Sequence, residues 1–252
     1  MDVTKKSALN GTALRSGGRA ESGSRTSEAR EKVLTAAYDL FSRHGIRAVG
    51  VDTIIAKAGV AKMTFYRHFP CKDDLVLAFL QRRELLWSQM WLEAEVLNRA
   101  ATPAQRLLAI FEVFDEWFRR DDFEGCSFIN VLLETVEPAH PVRHATMTHL
   151  ARIRHFVRGL AKAAGVAQPD DFAHKWHLLM KGSIVAAGEG DRLAARRAQD
   201  VGLLVLQSEG PRFQRELAGV RRSRGRHLQQ RRRTTEANSD TQRHSANSRR
   251  SF

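Results

Sequence analysis

Between positions 62 and 68 the chain crowds hydrogen-bond donors into about two helical turns: Lys62, Thr64, Tyr66, Arg67 and His68, with Lys72 following just past Pro70. Cations, a hydroxyl, a phenol and an imidazole at this density suit contacts with phosphates and base edges better than bond-making chemistry. Phe65 and Phe69 are four apart, so they share a helix face and can anchor it inward. The remaining surface is free to face outward, and a DNA major groove admits one α-helix. Each polar residue also has an ordinary use. Tyr66 could pack, Lys62 and Lys72 could be solvated charges, and His68 could cap the helix end. Their concentration on one short segment favours DNA.

Other reactive side chains form no comparable group. His140 and His144 are four apart, and His174 and His177 three apart. Neither pair has a convincingly spaced third ligand and no H-E-x-x-H occurs, so no metal is expected. Cys71 and Cys126 are the only cysteines, far apart in sequence. That spacing suits no zinc or disulfide framework and fits a reducing setting. No acid–base or nucleophile constellation appears, so neither an enzyme nor a cofactor is expected.

The elements that must hold these donors are helical. Apolar Val33, Leu34, Ala37, Leu40 and Phe41 recur at helical spacing from Ser27 onward, and Gly45 supplies a C-cap. A short helix over Val51–Ala58, the turn Ala58-Gly59-Val60-Ala61 and a third helix to about Phe69 give a helix-turn-helix over 50–69. Pro70 ends it. A long helix is expected over Asp73–Asn98, then one from Pro103 to about Arg120. Stretches near 126–136, 141–164, 169–187 and 191–207 follow. No stretch alternates with a strand period. The expected class is all-α, with about nine helices: an N-terminal three-helix domain, then a C-terminal helical domain. The expected boundaries are a disordered arm over 1–26, the helix-turn-helix domain over 27–86, a regulatory domain over 87–210 and a basic disordered tail over 211–252.

Charge alone is a weak guide here. The net charge is +13, but residues 28–211 hold 24 Lys/Arg against 23 Asp/Glu, while residues 212–252 hold 12 against 3. The folded middle is nearly neutral and the tail carries the excess. A second reading follows, a non-specific nucleic-acid binder whose tail arginines neutralise phosphates. The N-terminal residues lack the apolar stretch of a signal peptide, and no run of 18 apolar residues suggests a membrane span. A cytoplasmic protein is expected.

The segment VLTAAYDLFSRHGIRAVGVDTIIAKAGVAKMTFYRHFPCKDDLVLAF, residues 33–79, resembles the TetR family of bacterial transcriptional regulators. AAYDLFSRHG, VDTIIAKAGV, K-x-T-x-YRHF and the K-x-x-L from Lys72 to Leu75 carry the resemblance over roughly fifty residues without a gap. It implies a homodimer on double-stranded, near-palindromic DNA, a small-molecule effector and repression. It also implies DNA contacts from Gly50, Lys62, Met63, Thr64, Tyr66, Arg67, His68 and Lys72. Gly50 and Ala61 stand where the family usually has Ser or Thr, Met63 where it has Gly, and Cys71 where Ser is common. The C-terminal helices would then bind the effector and dimerise. Trp87, Trp91, Phe114, Trp117 and Phe128 are candidates for an apolar pocket, with Phe111 near them and Asn130 and Glu134 as polar partners. Gly182, Ser183, Ala186 and Ala187 are small enough for close helix approach across a dimer.

Overall fold

The computed structural model describes residues 18–217, and every regular element among them is helical. The expected arm over 1–17 and tail beyond 217 lie outside the described residues. The chain forms two compact units. One holds residues up to Arg82 together with Ser127–Thr146, the other Arg83–Cys126 and the chain from Met147 onward. Residues 127–146 thus join the first unit, although the sequence alone groups them with the regulatory segment.

In the first unit, α1 spans Gly18–Ala48 and is broken at Gly45, which adopts φ 77°. The sequence expects disorder up to residue 26, but the helix already runs from Gly18. Once the buried turns at Val33, Leu34, Ala37 and Phe41 are formed, each further residue adds a hydrogen bond without a new nucleus. Next come α2 (Val51–Ala58), α3 (Lys62–His68) and α4 (Lys72–Arg83). Tyr38 and Phe41 both meet Phe79 edge-on at 5.5 Å, tying α1 to α4. Ile54 and Phe65 are fully buried and bring α2 and α3 into the same core. α7 (Ser127–Glu134) packs against α1 and presents its buried Phe128 and Val131 within this unit.

The second unit begins where the helix continues without a break from α4. A π-helical segment, Glu84–Glu93, leads directly into α5 (Ala94–Arg99). The expected single helix over Asp73–Asn98 therefore contains a wider turn. α6 (Pro103–Trp117) starts with Pro103 behind Thr102, whose side chain accepts the Gln105 N–H at 3.3 Å. Leu107, Leu108, Ile110, Phe111, Val113 and Phe114 along α6 are buried. α8 (Pro141–Ala164) starts in the first unit and ends in the second. α9 (Pro169–Gly188) and α10 (Ala194–Ser208) pack together, and α10 also packs on α6. Gly202 makes this approach possible, because a Cβ there would lie 2.8 Å from the Trp176 ring.

The chain does not become a tail at residue 211. Pro211–Glu216 forms α11, with Phe213 and the following Leu217 buried. Glu216 accepts a 2.6 Å hydrogen bond from Thr102 at the head of α6, and Arg212 donates to the Ala164 carbonyl at the end of α8. Two apolar residues within five, hidden in an Arg-rich context, are enough to seat a short helix.

Candidate nucleic-acid interface

The turn between α2 and α3 is set by Gly59, which takes φ 64° and donates to Ile55 O at 3.1 Å and Ala56 O at 3.3 Å. A left-handed residue here closes α2 and satisfies its last carbonyls. Ala61 then opens α3 in an extended conformation without a side-chain cap. Phe65 is fully buried and Phe69 nearly so, with their rings 6.1 Å apart. Arg30 of α1 lies over the Phe69 ring at 5.2 Å, covering the end of the anchor.

With α3 held on that side, its other side faces solvent. Lys62, Met63, Tyr66 and Arg67 are exposed and Thr64 is half-buried. Met63 is 81% exposed, the most exposed of the large apolar side chains among the described residues. Lys62 reaches Asp52 of α2 at 3.2 Å, but both groups are exposed. Such a pair is worth little in water and is readily exchanged for a phosphate. Tyr66 stacks edge-on against Phe65 at 5.2 Å, which fixes its ring and leaves the residue 41% exposed.

The flanking positions differ among themselves. Gly50 is exposed and extended at the head of α2, and no side chain caps that helix. A Cβ there would meet only Thr53 Oγ1 at 3.9 Å, so space does not demand glycine. The uncapped first-turn amides of α2 are suited to an anion. His68 is half-buried with Nε2 shielded and unpartnered. Burial, then the charges of Arg67 and Arg30, push its pKa down. At neutral pH it offers a neutral ring rather than a cation. Lys72, at the start of α4, is half-buried. Burial lowers its pKa, while Glu134 and Asp73 pull in the opposite direction. Cys71 occupies the position just before α4, where Asp74 accepts from its backbone N–H at 3.3 Å and from its thiol at 3.1 Å. The backbone bond is the return half of a capping box, but the thiol donates here and does not accept a helix N–H as a serine cap hydroxyl would.

The proposed pocket residues divide between the units. Trp87, Trp91, Phe114 and Trp117 meet in the second unit, with Trp87 to Trp117 at 4.9 Å, to Trp91 at 5.7 Å and to Phe114 at 6.3 Å. Phe118 and Phe123 extend the cluster at 5.0–5.5 Å, and Phe111 joins it through Phe114 at 6.3 Å. Phe128, Asn130 and Glu134 lie on α7 in the first unit. Sequence reasoning missed Ser88 and Glu84 on the π-helical segment. Trp87 Nε1 and Ser88 Oγ are buried without a hydrogen-bond partner. Glu84 is buried and paired with His149 and, at 2.6 Å, with Arg152. Burial would raise the Glu84 pKa, but these two partners more than offset it and hold it low.

The histidine pairs have other uses. His140 accepts from the Val142 N–H at 3.3 Å and meets Asp73 at 3.4 Å, while His177 is buried. Among the described residues no group of three or more His, Cys, Asp or Glu is placed to hold a metal ion, and no described helix is long and apolar enough to cross a membrane.

Comparison with known proteins agrees with this geometry. The sequence model for bacterial regulatory proteins of the tetR family matches residues 33–79, from α1 through most of α4. The transcriptional activator FasR of Mycolicibacterium smegmatis is 37% identical over 95 residues, 37% of this chain and 42% of that protein. The transcriptional regulator LmrA of Bacillus subtilis is 29% identical over 121 residues, 47% of this chain and 63% of that protein. The chain therefore spans about half the length of these curated relatives. Solved structures extend the likeness. SCO4454, a TetR-family transcriptional regulator from Streptomyces coelicolor, superposes with a TM-score of 0.67 at 28% identity, covering 73% of this chain and 97% of that one. A putative TetR-type regulator from Streptomyces avermitilis gives 0.61 at 29% identity, covering 69% and 97%. A domain match through the helix-turn-helix and a fold match over nearly the whole of each neighbour point the same way: this chain is similar to TetR-family regulators both in its helix-turn-helix segment and in its fold.

Proposed function

We propose that the protein is a sequence-specific DNA-binding regulator that acts as a homodimer and changes affinity when a small molecule binds. The observation that carries this is α3. Two buried phenylalanines fix one side of it, while Lys62, Met63, Tyr66 and Arg67 stand exposed on the other. A helix so anchored can insert in a major groove with little reorganisation. The uncapped head of α2 and Lys72 supply phosphate contacts on either side.

Dimerisation is assigned to α9 and α10. Leu178 and Val185 on α9 and Val201 and Leu204 on α10 are large, apolar and exposed. A Cβ at Gly182 would meet nothing, so the small residue leaves room for a partner helix. A two-fold dimer presents α3 twice, to two half-sites. The effector is assigned to the aromatic cluster around Trp87. The unpartnered Trp87 Nε1 and Ser88 Oγ suit a ligand with an apolar body and a hydrogen-bond acceptor. Repression is the direction the family resemblance implies. One similar protein is named an activator, so a promoter–reporter assay is the measurement that fixes the sign.

The test is selection of duplex DNA from a random pool, with the full chain and with a chain ending at Leu217. Enrichment of a near-palindrome by both proteins is expected. Enrichment of no sequence by either would sink the reading. Binding that depends wholly on the segment after Leu217 and lacks sequence preference would favour the non-specific alternative.

A further inference from the structure

We propose that Glu134 is a positioning residue for DNA binding: from the end of α7 it fixes the backbone by which α1 leads into α2. The proposal rests on the DNA-binding reading above. The bend at Gly45 brings the next residues against α7. Arg47 donates its backbone N–H to Glu134 Oε2 at 2.6 Å, across 87 residues of sequence. A Cβ on Gly45 would lie 2.5 Å from Glu134 Oε1. The carboxylate therefore fills the hollow of the bend, five residues before the uncapped head of α2 at Gly50, and holds Arg47, three residues before it.

Glu134 is itself held. Arg143 on α8 donates to Leu132 O at 3.1 Å and Thr135 O at 2.7 Å, closing the end of α7. His140, in the corner between α7 and α8, meets Asp73 in the first turn of α4 at 3.4 Å. One corner thus braces both the segment leading into α2 and the start of α4, on either side of the helix-turn-helix. A cleft of about 330 Å³ lined by Arg47, Lys72, Glu134 and His140 lies between these supports.

An electrostatic role would have the opposite sign. Glu134 is an anion beside Lys72. If charge were its contribution, removing it would strengthen attraction to phosphate. If reach is its contribution, keeping the charge while shortening the side chain should weaken binding. Glu134→Gln keeps an acceptor at full length without charge, and Glu134→Asp keeps the charge one methylene short.

Full-length wild-type protein is used to enrich DNA from a random pool, and the enriched fragment is the probe. Glu134→Gln is expected to bind within about threefold of wild type or tighter, and Glu134→Asp about tenfold more weakly. The Asp variant should also show a shallower dependence of affinity on salt, because phosphate contacts at α2 are lost. Its Arg47 amide should exchange faster, while that of the Gln variant stays protected. A merely stabilising contact would lower the melting temperature but leave the salt dependence of the folded protein unchanged. Wild-type behaviour by Asp with weakened binding by Gln, or equal affinities and salt slopes in all three proteins, overturns the proposal. A wild type that enriches no sequence overturns the DNA-binding reading first, and this proposal with it.

Discussion

Side chains around α3 divide by what they can offer DNA. Tyr66 is exposed with its ring fixed by Phe65, and Lys72 sits at the head of α4. Tyr66→Ala and Lys72→Ala should weaken binding to all sequences about equally, and losing Lys72 should lower the salt slope by about one. Titration of the selected fragment and a scrambled one at several salt concentrations reads both effects. Met63 is a different case. It is exposed, and its apolar thioether is well suited to a thymine methyl. Met63→Gly should shift preference at one base pair by about 1 kcal/mol, measured by repeating the selection with the variant. The exposed and buried sides of α3 were legible in sequence because the spacing of Phe65 and Phe69 within the chain sets them. Glu134 was not: the sequence suggested an effector contact, while the structure places it against Arg47, 87 residues away. The buried side of His68 was equally hidden, because its shielding depends on the packing of α3.

Helix ends and close approaches decide the next level. Gly59 stands at φ 64° between α2 and α3, and a Cβ there would meet nothing. Gly59→Ala therefore tests backbone conformation alone and should cost about 1 kcal/mol in unfolding free energy, read from urea titration. Gly202 is the converse, with ordinary φ but a Cβ 2.8 Å from Trp176. Gly202→Ala should destabilise the second unit by about 1–3 kcal/mol through overpacking. The bounds of α2, α8 and α9 follow directly from Gly59, Pro141, Gly165 and Pro169. The π-helical turns over Glu84–Glu93 carry no such punctuation, so periodicity could not separate them from the α-helix on either side. α11 was missed for a related reason: six residues with a single large apolar side chain, Phe213, give no period to detect.

The placement of α11 matters for the molecule as a whole. Ending the chain at Gly210 removes Phe213 and Leu217, both buried, and should cost about 4 kcal/mol, whereas ending it at Leu217 keeps them. Melting curves of the two truncations compare the effects directly. Acidity should act on the same unit. His177 is 3% exposed, and burial, then the charges of Lys181, Arg154 and His174, drive its pKa down to about 3. The unfolded chain takes up this proton near pH 6.5 and the folded chain does not until about pH 3. Stability from this group is thus fully present above the unfolded value and declines as pH falls towards the folded one. The melting temperature should drop between pH 7 and 4.5, and His177→Gln should flatten that slope.

The bend at Gly45 carries a constraint of another kind. Its φ of 77° disfavours any L side chain, and the Glu134 carboxylate occupies the space a Cβ would need. The two positions are therefore not free to vary independently through descent. With ψ at 167° the residue lies in a region that essentially only glycine enters, so shortening residue 134 removes the clash with a Cβ but leaves the backbone strain. Gly45→Ala should therefore still destabilise the protein by about 1–3 kcal/mol beside Glu134→Ala, and by more beside the native glutamate, with urea titration of the two reading the backbone and the steric parts separately.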